Sequence, residues 1–579
     1  MAAGPVVNDA RVCLISTAPN GTAVDEGPWT CEMLAVTRAG GKRVMKDVEW
    51  KAPGSGLWEF DAIHFPQPVS TMYQEIFRAG FVEPWQRDMA RWGLPLRIDA
   101  AFVNDHLYIQ FGADPAADLE ALEERAKSVF DERAWRECLE EWRARRAARV
   151  DANLALQHAD LATLDDDALA DHLEATIDNL SAGMADHFEF VNVGEVAVGD
   201  LLARADGWGT TPGELLDLLT GTSPSSRGPE AELNAIVQAL GPRAVAVTSL
   251  DEVRAASPAA EAALGRYLDD VGWHVVTSYE LTGATMHELP QVTVAAIRGV
   301  AQRGSRALVE PPDPSALRSN LPAPERDLFD ELLTEARLLY GLREDNEPLT
   351  LLWPAGLVRR AVLEASRRLV LDDLVFVVSR DELVGLLRGS RAVANSDLTP
   401  RRDRRQRAHA SGPPPTLGDA TAHLPDAADL PPAVGRAVRA FLAAMEAEFG
   451  SPDEAPSVGV SGQGIGSQPA TGRACVATTP EEALARIEPG DVLVTRSTSS
   501  AFNAILPIVE ALVVEEGGLY THAAMMAREF GIPAVVGARG ACTSLLDGSY
   551  ITVDPASGTV EAAPVHPSAD ENPWSSARA

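Results

Sequence analysis

The hydrophobic rhythm of the chain changes near residue 455, and that change constrains the fold more than any other feature. From about 57 to 390, apolar residues recur three and four apart among dense charges. DLEALEERAKSVFDERAWRECLEEWRARRAARV shows it best, and one stripe of such a helix is buried. Further helical stretches follow, among them AELNAIVQAL, ERDLFDELLTEARLLYGL and GLVRRAVLEASRRLVL. From 455 the pattern becomes short apolar runs: RACVAT, DVLVT, ALVVEE, PAVVG, SYITV and GTVEA. Helical EEALARI, AFNAILPIV and HAAMMAREF fall among them, the alternation expected of a compact α/β unit.

The remaining boundaries follow. Residues 1–56 read as strands (VCLIS, TCEMLAVT, KRVMKDVEW) separated by Gly, Asn and Pro turns. Residues 400–454, Arg-rich and then rich in Pro, Gly and Ala, read as a linker ending in a connecting helix, PAVGRAVRAFLAAMEAEF. The polar segment 568–579 reads as a loose tail. At 579 residues the chain is too long for one ordinary core. The expected fold class is multidomain α+β, with a mainly α-helical domain at 57–399 followed by a compact α/β domain at 455–567.

Charge narrows the partners. Lys and Arg total 50 against 84 Asp and Glu, a net charge of -34. Such a surface repels phosphate backbones and anionic lipid, so neither nucleic acid nor a membrane surface is an expected partner. The five cysteines are scattered and never spaced as CxxC, which argues against a disulfide scaffold or a zinc site. No run approaches roughly 18 uninterrupted apolar residues, and the first residues lack a basic segment followed by an apolar one. A cytoplasmic protein is expected.

The stretch that carries chemistry is GGLYTHAAMMAREFGIPAVVG, Gly517 to Gly537. An apolar strand runs into a double-glycine turn, a Thr-His pair opens a short helix, and Ile-Pro stops it before another buried strand. Thr521 suits the N-cap, and the free N–H groups of a helix start favour a phosphate. A histidine there has an unperturbed pKa near ~6.5, so neutral, nucleophilic imidazole is available.

This stretch resembles the phosphohistidine motif of the phosphoenolpyruvate-utilising family, which includes pyruvate phosphate dikinase, phosphoenolpyruvate synthase, rifamycin phosphotransferase and phenylphosphate synthase. The family pattern GG-x-x-S/T-H-x-A, Ala-Arg, G-I/V-P-A-V-V-G is met by Gly517, Gly518, Thr521, His522, Ala524, Ala527, Arg528 and Gly531 to Gly537. Tyr520 and Thr521 stand where Thr or Leu, and Ser, are common. GIGSQPATGRACV and GDVLVTRSTSSAF resemble the opening of the same domain, and VDPASGTV its closing hairpin. The resemblance implies a swivelling domain in which His522 carries phosphate. Thr521 would serve beside it, and Gly517, Gly518, Arg528 and Thr495 would position the phosphate.

Upstream, DAIHFPQPVSTM, FVNDHLYIQ, RYLDDVGWHVVTSYEL and Ala336 to Leu383 resemble the substrate-handling part of rifamycin phosphotransferase and the histidine-bearing subunit of phenylphosphate synthase. Arg337, Arg343, Arg359 and Arg360, with Glu344 beside them, are candidates for gripping the phosphoryl group or its acceptor, since guanidinium forks suit phosphate oxygens. Ion pairs to Glu344, Asp345, Asp372 or Glu382 are the alternative for the arginines. His274 and Glu280 are candidate general bases, or polar braces between helices. His64 and His187 read as structural, and no metal site is read from His172 and His187. The Arg401, Arg402, Arg404, Arg405 run reads as a solvated charge run.

The ATP-grasp pattern that loads the histidine in multidomain relatives is not found, nor is the barrel domain of pyruvate phosphate dikinase. The resemblance therefore implies a phosphotransferase subunit loaded from ATP and Mg2+ on a separate ATP-grasp partner, binding neither tightly itself. The acceptor implied is a small phenol or alcohol. A rifamycin-type antibiotic phosphotransferase, a phosphocarrier and a non-catalytic regulatory protein remain as alternatives.

Overall fold

The computed structural model describes residues 48–223, 228–303, 309–419, 426–450, 460–498, 502–503 and 505–563. The chain divides into Met1–Glu49 and Trp50–Ala579, and every element named below belongs to the second unit. Most of the strand-like segment read at 1–56, with Cys13 and Cys31, lies outside the described residues, as does the tail at 568–579. Cys138, Cys475 and Cys542 are free thiols. Among the described residues no helix is long and apolar enough to cross a membrane.

The protein is a mixed α+β structure, helical first and then α/β. A small antiparallel sheet of β1 (Trp58–Phe60), β2 (Leu96–Val103), β3 (His106–Ala113) and β4 (Thr416–Leu417), in the order β2-β3-β1-β4, lies beside the helices. Asn104 and Asp105 both take positive φ (49° and 66°), the turn that matches the twist of a two-residue hairpin, which is why FVNDHLYIQ folds into β2 and β3. The long charged stretch read as one helix forms two, Leu119–Asp131 and Trp135–Gln157, separated at Arg133, whose φ of 56° cannot continue a right-handed helix. Asp165 caps the Asp166–Phe190 helix by accepting from Ala168 N–H. Trp92, Trp142, Tyr73 and Phe190 are among the fully buried side chains at the centre of this helical part.

Two segments depart from the sequence expectation. Part of the stretch read as linker belongs to a helix, Asn395–Ala410, and Arg401 and Arg405 of the run read as solvated are engaged. Arg401 pairs with Glu382, while Arg405 reaches Glu280 and donates to Pro68 O. AFNAILPIV, read as helical, is 3-10 rather than α-helical among its described residues, at 502–503 and at Leu506–Ile508.

The α/β part is an eight-stranded sheet, ordered β5-β12-β11-β7-β8-β9-β10-β6. Its strands are β5 (Val460–Ser461), β6 (Gln463–Ile465), β7 (Ala470–Val476), β8 (Val492–Thr495), β9 (Ala511–Val514), β10 (Ala534–Val536), β11 (Tyr550–Asp554) and β12 (Thr559–Ala562). β7, β8, β9 and β10 run parallel, and the outer pairings are antiparallel. The two edge strands, β5 and β6, are separated only by Gly462, so the sheet bends round toward itself. Gly462 N–H donates to Gly558 O at 2.9 Å, and a Cβ there would stand 2.2 Å from Val536 O, so no larger residue fits the seam.

Every residue of β8, β9 and β10 is buried, as expected of parallel strands covered on both faces. Alternate side chains divide between two cores. Val492, Val494, Val513 and Val535 pack inward with Ile551 and Val553, whereas Leu493, Leu512, Val514 and Val536 join a core that also holds Phe329 and Tyr340 of the helical part. The period-two pattern thus faces one side of the sheet toward the helical part.

Candidate active site

β9 delivers the chain to a turn that only glycine fits. Gly517 has φ +90°, and a Cβ on it would fall 2.4 Å from Thr521 Cγ2. Gly518 lies against the connecting helix Pro432–Phe449, where a Cβ would meet Ala447 O at 2.5 Å. The last carbonyls of that helix have no partner within it. Glu448 O accepts from Gly518 N–H at 2.7 Å and Ala447 O from Tyr520 N–H at 2.8 Å, so the histidine turn is seated on the helix end. Thr521 then caps the His522–Phe530 helix, accepting from Ala524 N–H and donating to Gly518 O. Gly531 ends the helix in the left-handed conformation (φ 60°).

His522 thereby stands on the first turn, buried and held at both nitrogens. Thr498 Oγ1 lies 3.1 Å from Nδ1 and Asn503 Oδ1 2.8 Å from Nε2. Burial, aided by the nearby Arg343 guanidinium, lowers its pKa to about 3, so the ring is neutral and keeps a lone pair for attack on phosphorus. Glu344 Oε2 lies 3.6 Å from Nε2, and burial together with Glu347 raises the Glu344 pKa to about 8. A protonated carboxyl beside the ring does not repel an incoming phosphoryl group and can return a proton to the imidazole.

Arg343 is the cation of the site. Burial works against its charge, but Glu448, with which it pairs, and Glu195 at 3.5 Å hold its pKa well above the usual range. Burial and the Glu448 charge in turn raise the pKa of Glu195, whose Oε2 is buried without a hydrogen-bond partner.

Three cavities meet around these groups. A narrow one of about 50 Å³ is lined by His522, Thr521, Gly517, Thr498, Arg343 and Glu347. His64, Tyr279, Arg343, Glu347, Glu448 and Phe449 line both it and a second cavity of about 520 Å³. The second is walled by aromatic rings, including Phe65, Phe77, Phe81, Trp85, Phe188 and Phe441. A third, of about 560 Å³, is lined by Glu344, Asp345, His274, Trp353 and the histidine's partner Asn503. Arg343 and Glu344, consecutive in the Leu342–Glu347 helix, thus serve different cavities.

The sequence candidates divide accordingly. Gly517, Thr521, His522, Arg343 and Glu344 come together. Gly518 supports the turn from behind. Arg528 braces it, donating to Leu519 O and to Asp217. Thr495 is fully buried and donates to Ser497 O, shaping the segment that presents Thr498. Arg337 donates to Leu218 O. Arg359 forms a two-pronged pair with Glu288 and donates to Leu281 O; Arg360 donates to Gln157 O and Ala159 O and lies over Trp273. None of Arg337, Arg359 and Arg360 lines the three cavities. His274, its pKa lowered to about 4 by burial, lines the cavity on the Glu344 side. Glu280 is buried, accepting from Ser70 N–H and Thr282.

Thr498, Asn503 and Glu195 were not among the sequence candidates, and His64, which lines two of the cavities, was read there as structural. Only Thr498 carried a signal, the Ser/Thr run that follows β8. Among the described residues, no group of three or more His, Cys, Asp and Glu side chains is arranged to hold a metal ion.

Comparison with known proteins places this geometry. Residues 487–558 match the family described as PEP-utilising enzyme, mobile domain. Over 124 residues the chain is 44% identical to phosphoenolpyruvate synthase of Aeropyrum pernix, covering 21% of this chain and 15% of that protein. Over 106 residues it is 39% identical to rifampicin phosphotransferase of Bacillus cereus, covering 18% and 12%. A longer match, 32% over 262 residues, is to chondramide synthase of Chondromyces crocatus, covering 42% of this chain and 6% of the other. The chain therefore spans less than a fifth of the length of each of these relatives. In residues 487–558, around His522, the chain carries the mobile domain of the PEP-utilising enzymes.

Proposed function

We propose that this chain is a phosphotransferase that carries a phosphoryl group on His522 and delivers it to a hydroxyl of a largely apolar acceptor held in the aromatic cavity. One observation carries the proposal: the cavity of about 520 Å³ shares Arg343, Glu347 and Glu448 with the narrow pocket at His522. Its volume lies within the roughly 300–1,000 Å³ typical of small-molecule sites, well beyond what phenol fills. That favours a larger acceptor, as in a rifampicin-type phosphotransferase, over a small phenol or alcohol. Transfer from phosphohistidine needs positioning and positive charge more than covalent chemistry, and Arg343 supplies the charge.

Loading requires a different arrangement. His522 is only 8% exposed, so a donor protein must meet it after the mobile domain has turned away from the helical part. The donor is an ATP-grasp partner using ATP and Mg2+. Full-length protein incubated with ATP and that partner should gain an acid-labile, base-stable phosphate, lost in His522→Ala. Turnover of an acceptor by His522→Ala would refute the proposal.

A further inference from the structure

We propose that His64, held by Asp61, takes the proton from the hydroxyl of an uncharged acceptor bound in the aromatic cavity. This inference rests on the transfer reaction proposed above. Asp61 and His64 share the turn that precedes the Thr71–Gly80 helix. The Asp61 oxygens lie 2.9 and 3.0 Å from His64 Nδ1, and Oδ1 also accepts the His64 backbone N–H at 3.1 Å. The carboxylate fixes the ring with Nδ1–H toward Asp61. Nε2 is left without a protein partner among the described residues.

The His64 side chain is 43% exposed against 11% for Asp61. It lines both the pocket at His522 and the aromatic cavity, where the two meet. Tyr279 packs edge-on at 5.5 Å. The charged and titratable groups facing His64 are Asp61 from its own turn, Arg343 and Glu347 from the Leu342–Glu347 helix, and His187 from the Asp166–Phe190 helix. Burial opposes the imidazolium, but Asp61, by charge and hydrogen bond, and Glu347 outweigh it and raise the His64 pKa to about 9. A base of that strength suits a hydroxyl.

The step balances. The acceptor oxygen bonds to phosphorus as its proton passes to His64 Nε2. The P–N bond to His522 breaks and its electron pair returns to the ring, which regains a proton from the Glu344 carboxyl. Solvent then deprotonates His64 and reprotonates Glu344.

A base is needed only where the acceptor oxygen is not already ionised. Glu195, Glu347, Glu448 and Asp61 line the cavity against Arg343 and His64, a lining that disfavours anions. The acceptor class is therefore a neutral alcohol or phenol, and carboxylates and phosphates are excluded.

The test needs no donor protein. Full-length protein, phosphorylated on histidine with phosphoramidate, is offered 2-naphthol or 2-naphthoate, and loss of phospho-His522 is followed by phosphorus NMR. The expected result is transfer to 2-naphthol and none to 2-naphthoate, at a rate that peaks between about pH 8 and 9, climbing as His64 gives up its proton and falling as Glu344 loses its own. His64→Gln should load equally, which reports an intact fold, and transfer about 100-fold or more slowly, with no climbing limb in its pH profile. Asp61→Asn should move the climbing limb to lower pH. If wild type transfers and His64→Gln matches its rate and profile, the role of His64 falls while the acceptor cavity stands. A wild-type rate that only falls with rising pH, with no climbing limb, would overturn the base. Loaded wild type that transfers to neither probe would overturn the acceptor cavity and the His64 role together.

Discussion

Glu344 holds a carboxyl oxygen 3.6 Å from Nε2 of His522, and neither group carries a charge at neutral pH. Burial favours the neutral form of each. For Glu344 the folded pKa of about 8 lies above the ordinary carboxyl value, so between about 4.5 and 8 the folded state holds a proton that the unfolded state has lost. Its contribution to stability is therefore complete at low pH and disappears as pH rises through 8. Glu344→Gln should be more stable than wild type at pH 8.5 by about 1–3 kcal/mol, with the gap closing toward pH 5. Urea unfolding at both values measures it, and a gap independent of pH would show that Glu344 is ionised in the fold. The same variant should accept phosphate on His522 yet transfer it slowly, having lost the acid.

Arg343 pairs with the buried Glu448 and lies 3.5 Å from the buried Glu195. Removing one partner from a buried ion pair leaves uncompensated charge, a cost of about 3–5 kcal/mol. Arg343→Met should lose about that much stability at pH 8 and less at pH 5, where Glu195, its pKa raised by burial to about 8, holds a proton. Adding Glu448→Gln should recover part of the loss. Chemical denaturation of the single and double variants decides; an uncoupled pair would show no recovery.

How much of this was legible in the chain depends on the distance between partners. The strand, double-glycine turn, Thr cap and histidine lie within 27 consecutive residues (511–537), and each residue type answers a local demand: φ +90° at Gly517, a cap at Thr521, a left-handed stop at Gly531. The hairpin at Asn104 and Asp105 is local in the same way. His64 was opaque because its neighbours Tyr279, Arg343 and Glu448 lie more than 200 residues away and meet it only in the folded chain. Arg359 and Arg360 invited a phosphate-gripping role as a pair. Successive helical residues point about 100° apart, and here one meets Glu288 while the other meets the carbonyls of Gln157 and Ala159. The break at Arg133 was hidden because amphipathic periodicity continues on both sides of it.

Gly299 of the helical part faces Ile508 of the α/β part. A Cβ on Gly299 would lie 2.0 Å from Ile508 Cγ2 and 2.8 Å from its Cβ, and a β-branched side chain cannot turn away cheaply. Gly299→Ala should push the mobile domain off the helical part. In the proposed cycle that separates the half-reactions: loading of His522 stays normal or quickens, while transfer to the acceptor falls by about tenfold or more. Parallel measurements of phosphohistidine formation and decay test this. Equal loss of both would point to general misfolding.

Asn503 and Thr498 hold the two nitrogens of His522, and the neutral amide matters on the Nε2 side. Asn503→Asp would set a carboxylate about where the amide oxygen now lies, 2.8 Å from the ring. An adjacent anion favours imidazolium, so the His522 pKa should climb from about 3 by two units or so. The same anion would repel the incoming phosphoryl group, and loading should slow by about 10- to 100-fold at neutral pH. Asn503→Ala, which removes the hydrogen bond without adding charge, should leave the pKa low and slow loading less. Nitrogen-15 NMR of the imidazole across pH 3 to 8 reads the first effect, and acid-labile phosphate the second. An unchanged titration in Asn503→Asp would mean that solvent, not Asn503, faces Nε2.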